Sequence, residues 1–350
     1  MRLILMGTGP FAVPSFQALL QKGYEIIHVV TRPTAPSTGK KKVPNGPVRQ
    51  RAIDRLLPIS DPLSINSPDT IQWLHEQRPD LMVVCDYGQI LSRDALTASK
   101  LGGINLHGSL LPRHRGAAPV QWSILSGDLI AGVSIIHMTP ALDGGPVLHQ
   151  LSTEIGPSET AAGLEARLSQ IGVESTLQSV ALLETKNSID ECIGLGEPQD
   201  KSLATKAPRL AKEDGELNLH YPVVWLDRLV RGLQPWPGSF AHMQFPDGKT
   251  LRIILSEVTP MILDISSHGL LPGQLLFGER LKELQVSHPM LTAALYVVAI
   301  DGVLAVPALQ PAGKKRMSSE EFLRGYPRYP TLQLTGSPGS HPLLNKMICN

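Results

Sequence analysis

The first half of the chain alternates between two hydrophobic periods. Residues 2–7, RLILMG, are an apolar run closed by glycine, which predicts a strand. Val13, Phe16, Leu19 and Leu20 follow at helical spacing and stop at Gly23, which predicts a helix. EIIHVVT reads as the next strand. Ser67 offers an N-cap with Pro68 at the first helical position, so SPDTIQWLHEQ predicts a second helix. DLMVVCDYG and GGINLH read as strands, AAPVQWSILSG as a short helix, and AGVSIIHM and VLHQLSTEI as strands around the turn DGGP. A long helix covers SETAAGLEARLSQIGVESTLQSVALLE. Strands alternating with helices predict an α/β domain over residues 1–190, with a mostly parallel sheet covered on both faces.

The pattern changes near residue 190. Residues 191–208 are polar, rich in Pro and Gly and without a period, and read as a linker. A helix over LHYPVVWLDRLVRGL comes next. Short strand candidates follow: GSFAHMQF, KTLRIILSEVT, GQLLFG, LYVVAI and GVLAVPALQ. Turn signals at Pro246-Asp247-Gly248 and Asp301-Gly302 separate them, which predicts a small β-barrel (OB-like) over 209–325. Residues 326–350, rich in Pro, Ser and Gly, read as a flexible tail. A length of 350 residues suits two domains.

Composition narrows the class. Hydrophobic residues at 42% and charged residues at 18% fit a globular protein with a substantial core. A net charge of +1 confines any nucleic-acid contact to a local patch. Cys85, Cys192 and Cys349 are widely spaced and form no CxxC pair, so neither a zinc site nor a redox dithiol is expected. No apolar run reaches the ~18 residues that a membrane span requires, and the expectation is a cytoplasmic protein.

Two motifs compete for the chemistry. Gly7-Thr8-Gly9-Pro10-Phe11-Ala12 fits G-x-G-x-x-G/A between a strand and a helix, the dinucleotide fingerprint. Pro10 removes an N–H where a pyrophosphate needs donors, and the second strand ends VVTRP without a carboxylate for a ribose. A tight turn is favoured, with an NADP enzyme using Arg32 as the alternative. The second motif is INLHGSLLPRHRGAAP, residues 104–119. Asn105 and His107, two apart on a strand, share one face at its C-terminal end, where ligands sit in open α/β sheets. Asp143, in ALDGGP, is placed to close the site. An amide, an imidazole and a carboxylate suit addition to a carbonyl: a donor for the oxyanion, a positive charge or proton, and a proton acceptor. No Ser or Cys is needed if the substrate brings its own nucleophile.

INLHGSLLPRHRGAAP followed by LDGG resembles the signature of formyltransferases that use 10-formyltetrahydrofolate. The resemblance implies a Rossmann-like catalytic domain and catalytic roles for Asn105, His107 and Asp143. It also implies folate contacts from Ser109, Leu110, Leu111 and Pro112, and no metal. ATKAPRLAKEDGELN, VRGLQPWPGSF and QPAGKKRMSSEEFLRG resemble the branch whose acceptor is the α-amine of methionine on initiator tRNA. The other members take a nucleotide sugar or glycinamide ribonucleotide. The resemblance covers residue 1 to about 325. The chain departs from it in places. The usual GTPxFAVP carries Gly9-Pro10, Asp86 and Ser92 stand where Ala and Pro are expected, LDTGD reads LDGGP, and residues 260–295 are longer than expected.

Basic residues suggest where tRNA lies. Seven of them (Arg32, Lys40, Lys41, Lys42, Arg49, Arg51, Arg55) stand against the single acid Asp54 between Arg32 and Arg55. Their Pro-, Gly- and Ser-rich loop follows the second strand and borders the active-site edge, which suits phosphate contact. Lys314, Lys315 and Arg316 form a second cluster in a region, Arg209 to Arg324, that balances twelve basic against twelve acidic residues. The expected tRNA contacts are Arg32, Lys40, Lys41, Lys42, Lys314, Lys315 and Arg316. A monomer is expected, although the sequence sets no oligomeric state.

Overall fold

A computed structural model describes residues 1–34, 44–192, 194–326, 333–336 and 339–348. The chain divides into two units. The first comprises Met1–Ser123, Leu129–Ile155 and Gly163–Arg209, and the second comprises Ile124–Asp128, Gly156–Ala162 and Leu210–Asn350.

The first part of the chain runs β1 (Arg2–Gly7), α1 (Val13–Gln21), β2 (Glu25–Val30), α2 (Pro47–Asp54), β3 (Ile59–Ser60), α3 (Pro68–Gln77), β4 (Leu81–Cys85), α4 (Arg93–Leu96) and β5 (Gly103–His107). It continues with β6 (Arg115–Gly116), α5 (Pro119–Leu125), β7 (Ile130–His137), β8 (Val147–Glu154), α6 (Ala161–Glu184) and β9 (Lys206–Ala207). Seven strands form one sheet in the order β3-β2-β1-β4-β5-β7-β8. The first five are parallel, whereas β7 is antiparallel to both β5 and β8. The central strands read as continuous apolar runs because helices cover both faces, and Leu81 to Cys85 are all buried. Ser67 accepts a hydrogen bond from Thr70 N and caps α3 as expected. Parallel strands align their C-terminal ends, so Gly7, Cys85 and His107 end on the same edge.

The expected linker over 191–208 is part of the first unit. Lys206 and Ala207 pair in parallel with Arg115 and Gly116, and Trp122 Nε1–H donates to Pro208 O at 2.9 Å. Its polar composition serves hydrogen bonds rather than a free tether.

The second unit continues with α7 (Val223–Gly232), β10 (Ser239–Gln244), β11 (Thr250–Leu255), β12 (Thr259–Ile262), β13 (Leu275–Leu276), α8 (Gly278–Ser287), β14 (Tyr296–Ala299), β15 (Gly302–Ala305), β16 (Ala308–Pro311), β17 (Met317–Ser318), α9 (Ser319–Gly325), β18 (Gln333–Thr335) and α10 (Pro342–Ile348). The expected small barrel is built from two antiparallel sheets, β17-β16-β11-β10-β18 and β12-β15-β14-β13. Met243, Ile253 and Leu334 from one sheet meet Leu275 and Val297 from the other. The stretch 260–295 contributes the end of β12, β13 and α8, and Leu276, Leu281 and Leu284 from it pack in one core with Tyr296. The expected flexible tail contains ordered elements. β18 pairs with β10, and His341 lies edge-on to Trp225 with ring centroids 4.9 Å apart. Leu334, His341 and Leu343 are buried, and these anchors are hidden in a stretch whose average composition is that of a loop.

Candidate active site

Asn105 and His107 end β5, and Asp143 lies in the loop between β7 and β8. The fold brings all three together. Asn105 Nδ2–H donates to Asp143 Oδ1 at 3.4 Å, and His107 Nδ1 lies 3.8 Å from Asp143 Oδ2. Asp143 has φ 48°, a left-handed conformation that Asp tolerates, and its Oδ2 accepts from Gly116 N–H at 2.9 Å. Gly116 is required there: its φ is 132°, and a β-carbon would lie 2.6 Å from Ala207 O. His107 Nε2 lies 2.9 Å from His114 O. A carbonyl only accepts, so Nε2 carries the proton and Nδ1 is the nitrogen facing Asp143.

The loop bearing Asp143 is held by a residue that sequence reasoning missed. Gln199 Nε2 donates to Asp143 O at 2.8 Å and to Gly145 O at 2.7 Å. Its Oε1 accepts from Arg115 Nε at 3.0 Å and Nη2 at 2.6 Å. Gln199 belongs to the stretch read as a linker, and no local pattern marks it. The basic residue Arg115, inside the motif, was the one available signal.

All three residues line a cavity of about 530 Å³ in the first unit. Its other walls include Asp86 to Leu91, Met138 to Thr139 and Ala141 to Leu142, with Phe11, Glu165 and Arg209. Ile90 and Leu142 are 57% and 54% exposed, giving the mouth an apolar rim suited to a flat ring. Tyr87 is buried, and burial pushes its hydroxyl up to about 12 although the nearby Arg32 charge opposes this.

Ser109, Leu110, Leu111 and Pro112, expected to touch folate, are not among the residues lining this cavity. Their polar groups are used internally. Ser109 Oγ–H donates to Arg113 O at 2.7 Å, Ser134 Oγ–H donates to Ser109 O at 2.6 Å, and Leu111 N–H donates to Ser134 Oγ at 3.0 Å. Gln150 Nε2 donates to Leu111 O at 2.8 Å. The loop so pinned presents His114 O to His107.

The turn at Gly7 to Ala12 is a tight one. Gly9 N–H donates to the Asp86 carboxylate, which occupies the place a phosphate would need. The Ser92 departure is a cap: Ser92 Oγ accepts from Ala95 N–H at 3.2 Å. Its N–H donates to Asn66 Oδ1 at 2.8 Å, a bond that proline cannot make.

Among the expected tRNA contacts, Arg32 is exposed, and a β-carbon on Gly88 of the cavity wall would meet its side chain. Lys314, Lys315 and Arg316 are exposed on the turn between β16 and β17, with Arg316 Nη2 2.6 Å from Glu257 Oε2. Lys40, Lys41 and Lys42 lie outside the described residues. Among the described residues, Cys85 and Cys192 are buried free thiols, no cluster of three or more His, Cys, Asp or Glu is placed for a metal, and no helix is long and apolar enough to cross a membrane.

Residues 1–180 match the formyl transferase family, and 209–327 match its C-terminal domain. The methionyl-tRNA formyltransferase of Rhodopirellula baltica is 45% identical over 331 residues, covering 93% of this chain and 94% of that protein. The chain belongs to the methionyl-tRNA formyltransferase family. The Geobacter sulfurreducens methionyl-tRNA formyltransferase is 35% identical over 340 residues, covering 97% of this chain and 98% of its own. The fold is shared more widely than this family. An N-formyltransferase from Helicobacter canadensis, solved with folinic acid and dTDP-3-aminofucose, superposes with a TM-score of 0.60 at 14% identity, covering 87% of this chain and 98% of that one.

Proposed function

We propose that the chain transfers the formyl group of 10-formyltetrahydrofolate to the α-amine of methionine carried by initiator tRNA. The observation that carries this reading is the meeting of Asn105, His107 and Asp143 on one cavity wall, in a chain 45% identical to the R. baltica methionyl-tRNA formyltransferase. Shape supports a folate in the cavity, with the apolar rim of Ile90 and Leu142 against its ring.

The chemistry follows from the bonding pattern. The neutral amine attacks the formyl carbon, and the carbonyl oxygen becomes an oxyanion. Asn105 Nδ2–H, whose bond to Asp143 is long at 3.4 Å, turns to that oxygen. His107, with Nε2–H committed to His114 O, offers Nδ1 on the cavity side, where a proton stabilises the oxyanion. Asp143 accepts the amine's proton, directly or through water. The bond to the folate nitrogen then breaks, that nitrogen takes the proton that Asp143 accepted, and formylmethionyl-tRNA leaves.

Ser109 to Pro112 act by holding His114 O and the wall behind the site. Arg32, Lys40, Lys41, Lys42, Lys314, Lys315 and Arg316 serve the tRNA phosphates. The test is formyl transfer from 10-formyltetrahydrofolate to charged initiator tRNA, with elongator methionyl-tRNA as control. Equal use of both tRNAs, or of neither, would refute the reading.

A further inference from the structure

The cavity holds a carboxylate that formyl transfer, as derived above, leaves unused. Asp86 follows β4 with φ 50°. Its backbone oxygen accepts from Thr8 N–H at 3.1 Å, and its side chain accepts from Gly9 N–H. A β-carbon on residue 9 would overlap Asp86 Oδ2, and a proline there would also lack the donor. The departures at Gly9 and Asp86 are therefore one adaptation, in which residue 9 gives up its side chain to seat a carboxylate at 86.

That seat is unfavourable for the charge. Asp86 is exposed to the cavity, yet enough protein surrounds it that burial raises its carboxyl above the usual carboxylate range, the Gly9 bond opposing this. Glu165 lines the same cavity and is raised too, by burial and then by the Asp86 charge. Apart from His107 and the phenol of Tyr87, the ionisable groups on the wall are Asp86, Asp143 and Glu165 against the guanidinium of Arg209. The space favours a cation.

We propose that Asp86 captures the acceptor amine as an ammonium before transfer, and so distinguishes an aminoacyl ester from an uncharged one. The proposal rests on the formyl-transfer reading. An α-amine titrates near ~8, so much of it arrives charged at neutral pH. The ammonium loses one proton to solvent before attack, and the second leaves in the transfer step to Asp143. Asp86 thus acts on acceptor binding, while Asn105, His107 and Asp143 act on the transfer itself.

Asp86→Asn tests this in the full chain, because the amide oxygen still accepts from Gly9 N–H while the charge is gone. The probe is initiator tRNA esterified with the hydroxy acid of methionine, which carries a hydroxyl in place of the α-amine, used as an inhibitor. The wild type should bind methionyl-tRNA about 10-fold tighter than the hydroxy ester, as expected for losing a hydrogen bond to a charged group. Asp86→Asn should erase that preference and raise KM for methionyl-tRNA by the same factor. Its kcat and its affinity for a folate analogue should stay near wild type, and its thermal midpoint should be unchanged or higher. Asp86→Ala, which removes the charge and shortens the side chain, should also lose the preference. Retention of the preference in either variant would overturn the proposal. So would a loss confined to kcat, or weakened folate binding. A wild type that forms no formylmethionyl-tRNA would instead overturn the functional reading beneath it.

Discussion

Gln199→Ala should lower turnover without touching any atom that reacts. The side chain makes two bonds to the Asp143 loop, at 2.8 and 2.7 Å, and receives two from Arg115, at 3.0 and 2.6 Å. A hydrogen bond contributes a net of about 0.5–1.5 kcal/mol, and Gln199 is half-buried, so water replaces part of what is lost. The expected loss of stability is about 1–2 kcal/mol, or a few degrees in Tm. The effect on rate is larger, because the backbone of Asp143 would lose its Gln199 bond and the carboxylate alone, through Gly116 N–H, Asn105 and His107, would hold the residue in place. A catalytic group displaced by about 1 Å can cost ~100-fold, and the surviving Gly116 bond limits the shift, so kcat should fall about 10- to 100-fold. KM for the folate should change little, since Gln199 is not among the lining residues. Steady-state formyl transfer and a circular-dichroism melt give both numbers. A folded Gln199→Ala protein with kcat within threefold of wild type would show that this brace does not position Asp143.

Asn105→Ala, His107→Ala and Asp143→Ala should each lower kcat by roughly 100- to 1,000-fold with the fold intact, and near-full activity in any of them would remove that residue from the mechanism. Replacing Lys314, Lys315 and Arg316 with Gln should weaken tRNA use, spare folate binding and flatten the dependence of log(kcat/KM) on log salt by up to about 0.9 per lost contact; an unchanged slope would place the phosphates elsewhere. Burial holds the His341 imidazole below its usual value, although Glu216 O opposes this. A depressed His contributes stability that is intact above the unfolded value near ~6.5 and is lost as pH falls below it, so denaturant midpoints measured from pH 8 to 5 should drop less in His341→Gln than in wild type. A fragment ending at residue 193 should be unstable or insoluble, since it lacks Gln199, β9 and the Pro208 acceptor of Trp122; a soluble fragment that binds a folate analogue would contradict this.

The elements that could be read from the sequence were those whose signal is local. Apolar runs closed by glycine gave the parallel strands, and Ser67-Pro68 gave a helix start that the Thr70 N–H bond confirms. Asn105 and His107 were legible because a strand's period of two puts them on one face, and Asp143 because a short turn motif carries it. The antiparallel direction of β8 was also within reach. Residues 138–146 are too few for the crossover that parallel pairing needs, which takes about a dozen.

What stayed hidden depends on partners far apart in sequence. Gln199 is an unremarkable polar residue until the fold sets it 56 positions from Asp143 and against its carbonyl. Ser109 to Pro112 carry the most recognisable motif in the chain, yet Ser109 and Leu111 bond to Ser134 and Gln150, and only the fold could show that. The same cause undoes a division at residue 190. Average composition marks 191–208 as a tether, but a tether and a strap that crosses an active site use the same residues. Pro and Gly set the path in both, and polar side chains serve either water or the protein. The difference lies in whether donors and acceptors find partners, and here Gln199, Lys206, Ala207 and Pro208 do. Ile124–Asp128 and Gly156–Ala162 count with the second unit, so no single cut in the sequence separates the two bodies. The two units are therefore interleaved in sequence, each built from more than one stretch of the chain.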